Sequence, residues 1–330
     1  MYKPKKFKLI TINILLSVFT IAMCLSINTV SATSKTNQAV ASNIHQLSAS
    51  STAPKQVEDF AEQNRNRLAR LNTFSEWSHA QIQVEPLGPG THSWLASILQ
   101  QKSNNGGHSK FIGYMVISID ENQQCVLVEY GLGKDSIYHP DKLSDALTLL
   151  GLSTEHTNAK PYYGGANWTE WSVANGSYIH AGTGEIVPQT QASWDSIRLH
   201  YMAPAGAFNS SFIESSILES DPIQSLTAQS IVPSPAVFTG QDFDPYDQIT
   251  WMVAKPLQLE STTFLQALAA NKQLIYVGSH NNQTYRIPFS ITGYQKWGAH
   301  IIYVQAGSLS SPRFIAINEL LASGRFIKLN

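Results

Sequence analysis

Cysteine is nearly absent from this chain: Cys24 and Cys125 are the two in 330 residues. Cys24 falls in an apolar N-terminal stretch. If that stretch is removed, Cys125 has no internal partner, and the fold must stand on packing. Charge is also scarce. Asp, Glu, Lys and Arg make up 14% of the chain, against roughly 25% in an average soluble protein. The surface must then rely on Ser, Thr, Asn and Gln, which suits an exported protein. No basic stripe exists and the net charge is −1, which argues against nucleic acid as a partner and against electrostatic docking on anionic lipid. Several motifs are missing as well: His-Glu-x-x-His, Cys-x-x-Cys, a phosphate loop and a Gly-x-Ser-x-Gly elbow. No cofactor and no metal is therefore expected. An enzyme built on dispersed carboxylates would leave little local signature and stays open.

The N-terminus carries a clear pattern. Lys3, Lys5, Lys6 and Lys8 precede an apolar run, LITINILLSVFTIAMC, at 9–24, and Val30-Ser31-Ala32 fits a small-x-small cleavage pattern. A signal peptide over 1–32, cleaved after Ala32, is expected, which would deliver the protein outside the cell or to its surface. The rival reading is a retained anchor, since 9–30 is about long enough to cross a bilayer. Met23 is a poor residue before a lipidated Cys24. Of 22 basic residues, the leader takes four, leaving 18 against 23 acidic and a net of −5. Residues 33–55 are small, polar and aperiodic, and read as a flexible linker.

With 43% hydrophobic residues, the mature chain can build a substantial core. A helix is expected over 56–77, where Val57, Phe60, Ala61, Leu68, Leu71 and Phe74 fall near a 3.6 period. A turn at 86–90, a strand at 92–99 and a hairpin of 111–119 with 124–130 follow. Pro140 opens a helix whose apolar face is Leu143, Ala146, Leu147 and Leu150, and Gly151 ends it. This makes 56–151 one α+β module. A second, over 160–202, contains strand 168–173, the Asn175-Gly176 turn, strand 178–181, a turn at 182–185 and strand 186–188. Residues 193–202 read as a continuation of that sheet. Proline-punctuated 203–240 reads as a connector with a short helix near 210–219. The C-terminal module, 241–330, contains a capped helix at 261–270, strands at 274–277, 284–292, 300–305 and 313–317, a short helix at 318–322 and a last strand. The expected fold class is α+β: antiparallel sheets with packed helices in two to three small units.

Candidate chemistry is thin. Cys125 could be a thiol nucleophile, but it sits in a strand between apolar neighbours rather than in an electropositive setting. His300 opens an expected strand and could act as a general base, yet no nucleophile accompanies it. Asp242, Asp244 and Asp247 alternate as calcium ligands do, but the loop lacks its glycine and its closing glutamate. Gly182-Thr183-Gly184-Glu185 is too short to cradle a phosphate. Trp94, Trp168, Trp171, Trp194, Trp251 and Trp297 could line a groove or pack a core.

Two stretches resemble known modules. Residues 171–188 (WSVANGSYIHAGTGEIVP) are similar to the end of a PepSY-type module. Residues 113–133 (GYMVISIDENQQCVLVEYGLG) are similar to the strand pair of streptopain-type propeptides, which share a cystatin-like topology. Together with FDPYDQITWMVAKP at 243–256 and the C-terminal sequence, the chain resembles secreted proteins of spore-forming Gram-positive bacteria that have no assigned activity. His300 with 301–304 also resembles the histidine strand of bacteriocin-processing cysteine peptidases. The chain lacks their Gln…Cys-Gly helix start, which implies an inactive domain. The expectation is an exported, non-catalytic protein that binds a peptide, a peptidase or another cell-envelope component. A secreted hydrolase using His300 and a structural envelope or spore protein are the alternatives.

Overall fold

The computed structural model of the chain describes residues 53–90, 92–100, 109–120, 122–153, 158–202, 231–247, 249–280 and 285–329. The leader, all of the linker but its last three residues, and the helix expected near 210–219 lie outside these residues.

The first helix, α1 (Lys55–Leu68), buries Val57, Ala61, Asn64 and Leu68, spaced four, three and four apart as one helical stripe requires. The helix expected to reach 77 stops earlier. Leu71 is extended, and the chain restarts as a 3-10 segment over Asn72–His79, bent at Phe74. Phe74 and Trp77 lie three residues apart, so a three-residue turn drops both into the same core. Strand β1 (Gln81–Leu87) follows, where only a turn was expected. Its Ile82 and Val84 alternate toward α1, and Pro86 is tolerated because β1 is an edge strand.

Strands β2 (Ser93–Gln100), β3 (Lys110–Ile119) and β4 (Cys125–Leu132) complete an antiparallel meander. Helix α2 (Pro140–Leu149) starts with Pro140 at its first turn and buries Leu143, Ala146 and Leu147. A small antiparallel sheet follows, β5 (Lys160–Tyr163), β6 (Thr169–Ser172), β7 (Tyr178–His180) and β8 (Ile186–Val187), in that spatial order. Residues 193–202 do not continue it. They belong to helix α3 (Gln191–Met202). Trp194 and Ile197 pack in one cluster with Tyr178 and Val187. A strand would point two residues three apart to opposite faces, whereas a helix points them to one. The Thr190 hydroxyl accepts the Ser193 N–H at 3.2 Å, an N-terminal cap.

Beyond the connector come β9 (Val237–Phe238), α4 (Ser261–Ala270), β10 (Leu274–His280), β11 (Tyr285–Trp297), β12 (Ile301–Ala306), β13 (Arg313–Ala316), α5 (Ile317–Ser323) and β14 (Gly324–Lys328). Helix α4 has a capping box: Glu260 and Thr263 satisfy each other's backbone N–H groups. The principal sheet runs β1-β2-β3-β4-β13-β12-β11-β10-β14, with β9 paired to β11. Thus segments 56–151 and 241–330 share one sheet, and β4 meets β13 antiparallel, Glu129 opposite Ile315 and Gly131 opposite Arg313. Among the described residues every ladder between these strands is antiparallel, and one parallel bridge joins Gly88, just past β1, to Tyr162 of β5; the fold is α+β.

One core joins α1, the 3-10 segment and β2–β4 to Trp297, Tyr303 and Phe314 from the C-terminal half. On the opposite face, α2 and the small sheet cover the N-terminal strands, while α4 and α5 cover β10–β14. At the β4–β13 junction, the fully buried Glu129 takes two hydrogen bonds from Arg313, Nε at 2.7 Å and Nη2 at 3.0 Å. Tyr114 donates a third at 2.5 Å. Burial opposes the Arg313 charge, but the Glu129 carboxylate outweighs it and raises the guanidinium pKa. Burial, then the same carboxylate, pushes the Tyr114 phenol well above its ordinary value. Arg313 also donates to the Ala166 carbonyl at 3.2 Å, so one side chain fastens β13, β4 and the small-sheet segment together.

Candidate functional site

The turn after β7 begins at His180, which is buried. The Thr183 backbone N–H donates to His180 Nδ1 at 3.1 Å, which leaves the ring proton on Nε2. The Gly184 N–H donates to the His180 carbonyl at 2.9 Å, and the His180 N–H to the Glu185 carbonyl at 2.8 Å. Gly184 has φ +78°, and a Cβ there would fall 3.0 Å from the Lys142 carbonyl oxygen. Glycine therefore serves twice: it takes the left-handed conformation, and it lets the turn approach the first turn of α2.

That approach leaves a groove of about 530 Å³ between the α2 side chains Lys142, Asp145 and Leu149 and the turn residues Thr183, Glu185 and Ile186, with Tyr285 of β11 at one end. This volume is within the roughly 300–1,000 Å³ typical of ligand pockets. Its walls are apolar where water would be expected. Leu149 is 82% exposed and Ile186 is 49% exposed. Its rim is charged. Glu185 Oε2 accepts hydrogen bonds from the Tyr285 hydroxyl at 2.5 Å and the Thr183 hydroxyl at 3.2 Å, so the carboxylate has a fixed place. Burial, then the bond to Glu185, raises the Tyr285 pKa, and the phenol stays a donor. The Thr183 oxygen also accepts the Glu185 N–H at 3.3 Å. Its hydroxyl is therefore committed within the turn, and the arrangement orients a carboxylate without creating a nucleophile.

Behind the turn, Glu170 lies opposite His180 across β6 and β7. Glu170 is fully buried and accepts the Trp194 indole N–H at 2.8 Å. Burial raises its pKa to about 7, against the lowering pull of that bond. It helps seat α3 on the small sheet and does not face the groove.

The residues singled out in the sequence lie elsewhere. Cys125 begins β4 and is half-buried, with Sγ 3.9 Å from the Gln56 carbonyl. Burial, then Asp120, raises its pKa, the opposite of what an activated thiolate needs. His300 does not open a strand. It ends the exposed turn 298–300 before β12, and no hydrogen bond among the described residues joins it to Cys125. Asp244 accepts the Tyr246 N–H at 2.9 Å as a local turn support, and Asp242 accepts the N–H of the distant Leu309 at 3.4 Å. Among the described residues no group of three His, Cys, Asp or Glu could hold a metal ion. Trp171, Trp194, Trp251 and Trp297 are buried, while Trp94 and Trp168 pack half-buried against cores. The tryptophans pack in or against cores, and none lines the groove between α2 and the 182–186 turn. Among the described residues no helix is long and apolar enough to cross a membrane.

Of the groove residues, Thr183, Gly184 and Glu185 fall in the turn expected at 182–185, Ile186 in the strand expected after it, and Lys142, Asp145 and Leu149 in the helix that Pro140 opens. Tyr285 comes from a third segment, and nothing local shows that the three segments meet. The exposed Leu149, two positions beyond Leu147 and off the buried Leu143–Ala146–Leu147 stripe of α2, is the available hint. No protein-family model, curated protein or solved structure matches the chain.

Proposed function

We propose that the chain is an exported, non-catalytic binding protein, and that the groove between α2 and the 182–186 turn holds a segment of another polypeptide. The observation that carries this is the pairing of exposed apolar side chains, Leu149 and Ile186, with a fixed carboxylate, Glu185, in a concavity that contains no activated nucleophile. Isolated exposed apolar residues are ordinary, but two facing each other across a charged rim mark a contact surface. Export rests on the lysine-headed apolar leader, and the likeness of 171–188 to a PepSY-type ending belongs to the same proposal.

The test uses the purified chain from residue 33 to 330. It is panned against a displayed library of nine-residue peptides, and selected peptides are measured by fluorescence anisotropy. Binding should fall at least ~10-fold in the Leu149→Asp/Ile186→Asp variant, since two buried apolar anchors are each worth on the order of 1.5–3 kcal/mol. Binding that ignores both substitutions, or selected peptides recovered cleaved by mass spectrometry, overturns the proposal. Export is tested by N-terminal sequencing of the protein from culture medium, expected to begin at Thr33. Full-length product confined to the cell interior would refute it.

A further inference from the structure

The open edge of the small sheet points to how such a segment would bind. The hydrogen bond from the His180 N–H to the Glu185 carbonyl makes 180 and 185 a hydrogen-bonded pair. In an antiparallel ladder the next pair, Ile179 and Ile186, must then direct its N–H and C=O groups away from each other. For Ile186 that direction is outward, because β8 is the last strand of its sheet. The groove therefore presents a backbone donor and acceptor beside an exposed isoleucine, with Leu149 on the opposite wall.

The surface continues past the groove. Tyr246 stands on a 3-10 turn (Pro245–Asp247) that packs on β11, the strand that begins at Tyr285. Just beyond stand Ile249, 63% exposed, and Val253, 88% exposed. Carboxylates dominate along this path: Asp145, Glu185, Asp244 and Asp247 are all exposed. Against them stand Lys142, Arg286 and, past Val253, the exposed Lys255; Arg286 donates to the Met252 carbonyl at 3.3 Å.

We infer that the occupant is an extended, cationic polypeptide segment that adds as a strand to β8. It places an apolar side chain between Ile186 and Leu149, sets Lys or Arg side chains against Glu185 and Asp145, and runs over Tyr246 toward Ile249 and Val253. This rests on the groove reading above. Backbone pairing supplies affinity without sequence demands, the alternate side chains select, and the carboxylates select for positive charge.

Three eight-residue probes test it against the purified 33–330 chain. The first has leucines at two alternate positions flanked by lysine, with threonine elsewhere. The second replaces lysine by glutamate. The third keeps the lysines and N-methylates alternate backbone amides. The first should bind, weaken roughly 10-fold in high salt as exposed charges are screened, and weaken similarly in Glu185→Gln/Asp145→Asn. Glutamine keeps the length of Glu185 and can still accept from Tyr285 and Thr183, so the turn is retained. The second and third probes should bind at least ~10-fold more weakly than the first. If all three bind alike and Leu149→Asp/Ile186→Asp abolishes them, the groove reading stands and the cationic strand-addition inference falls. If binding ignores Leu149→Asp/Ile186→Asp, both fall.

Discussion

Replacing Arg313 by methionine should cut the stability of the whole chain, because its guanidinium ties together the two halves where β4 meets β13. Arg313 makes both of its short carboxylate bonds to Glu129, a residue with 0% of its surface exposed, and a further bond to the Ala166 carbonyl. Methionine fills much of the volume and keeps contact with the Phe289 ring, which the guanidinium now covers at 5.0 Å from its centroid. The loss is therefore mainly electrostatic. Removing one member of a buried pair strands the other charge and costs about 3–5 kcal/mol. The Arg313 side chain is 18% exposed, and Tyr114 still donates to Glu129, so the lower end of that range, about 3 kcal/mol, applies. Against a total stability of roughly 5–15 kcal/mol, this is large. Urea unfolding followed by circular dichroism should show the midpoint drop. The Glu129→Gln/Arg313→Met double variant should be more stable than the sum of the two single losses by at least ~1 kcal/mol, since the stranded charge is gone. A loss below ~1 kcal/mol for Arg313→Met, or strictly additive losses, would refute the account of this pair as the fastening of β4 to β13.

Three further outcomes are expected. Glu170 titrates at about 7 in the folded chain against an ordinary 4.5, so between those values the folded state holds a proton that the unfolded state has released. The stability that Glu170 contributes should be full below pH ~4.5 and decline by about 3 kcal/mol as pH rises to 7, and the difference between the parent chain and Glu170→Gln should trace that decline in denaturation curves taken across the window. A Cβ at Gly131 would strike the Tyr114 ring, itself held by Glu129. Gly131→Ala should therefore cost about 1–3 kcal/mol, and a neutral effect in the same unfolding assay would mean that the ring can move aside. Cys125 should react slowly with iodoacetamide at pH 7 and faster once urea exposes it, since burial and Asp120 disfavour its thiolate; equal rates would contradict this.

Local periodicity was enough to find some elements. The 140–149 helix, the 111–130 hairpin, the 178–181 strand with its Asn175-Gly176 turn and the capped 261–270 helix could all be read from neighbours a few residues apart. The differences are local too. Pro86 lies in an edge strand where a turn is expected, and residues 193–202, expected to continue the small sheet, belong to helix α3. The strand expected to open at His300 begins one residue later, at Ile301.

The sequence by itself determined the antiparallel α+β class, because alternation within strands, short turns and apolar helix stripes are properties of adjacent residues. It also determined that no disulfide would brace the chain if the leader is removed. Only the tertiary structure decided that β4 would lie beside β13, and that Glu129 would find an arginine 184 positions away. Only there do Leu149, Ile186 and Tyr285 enclose one groove. Such pairings depend on which distant surfaces bury each other, and no spacing along the chain encodes that choice locally.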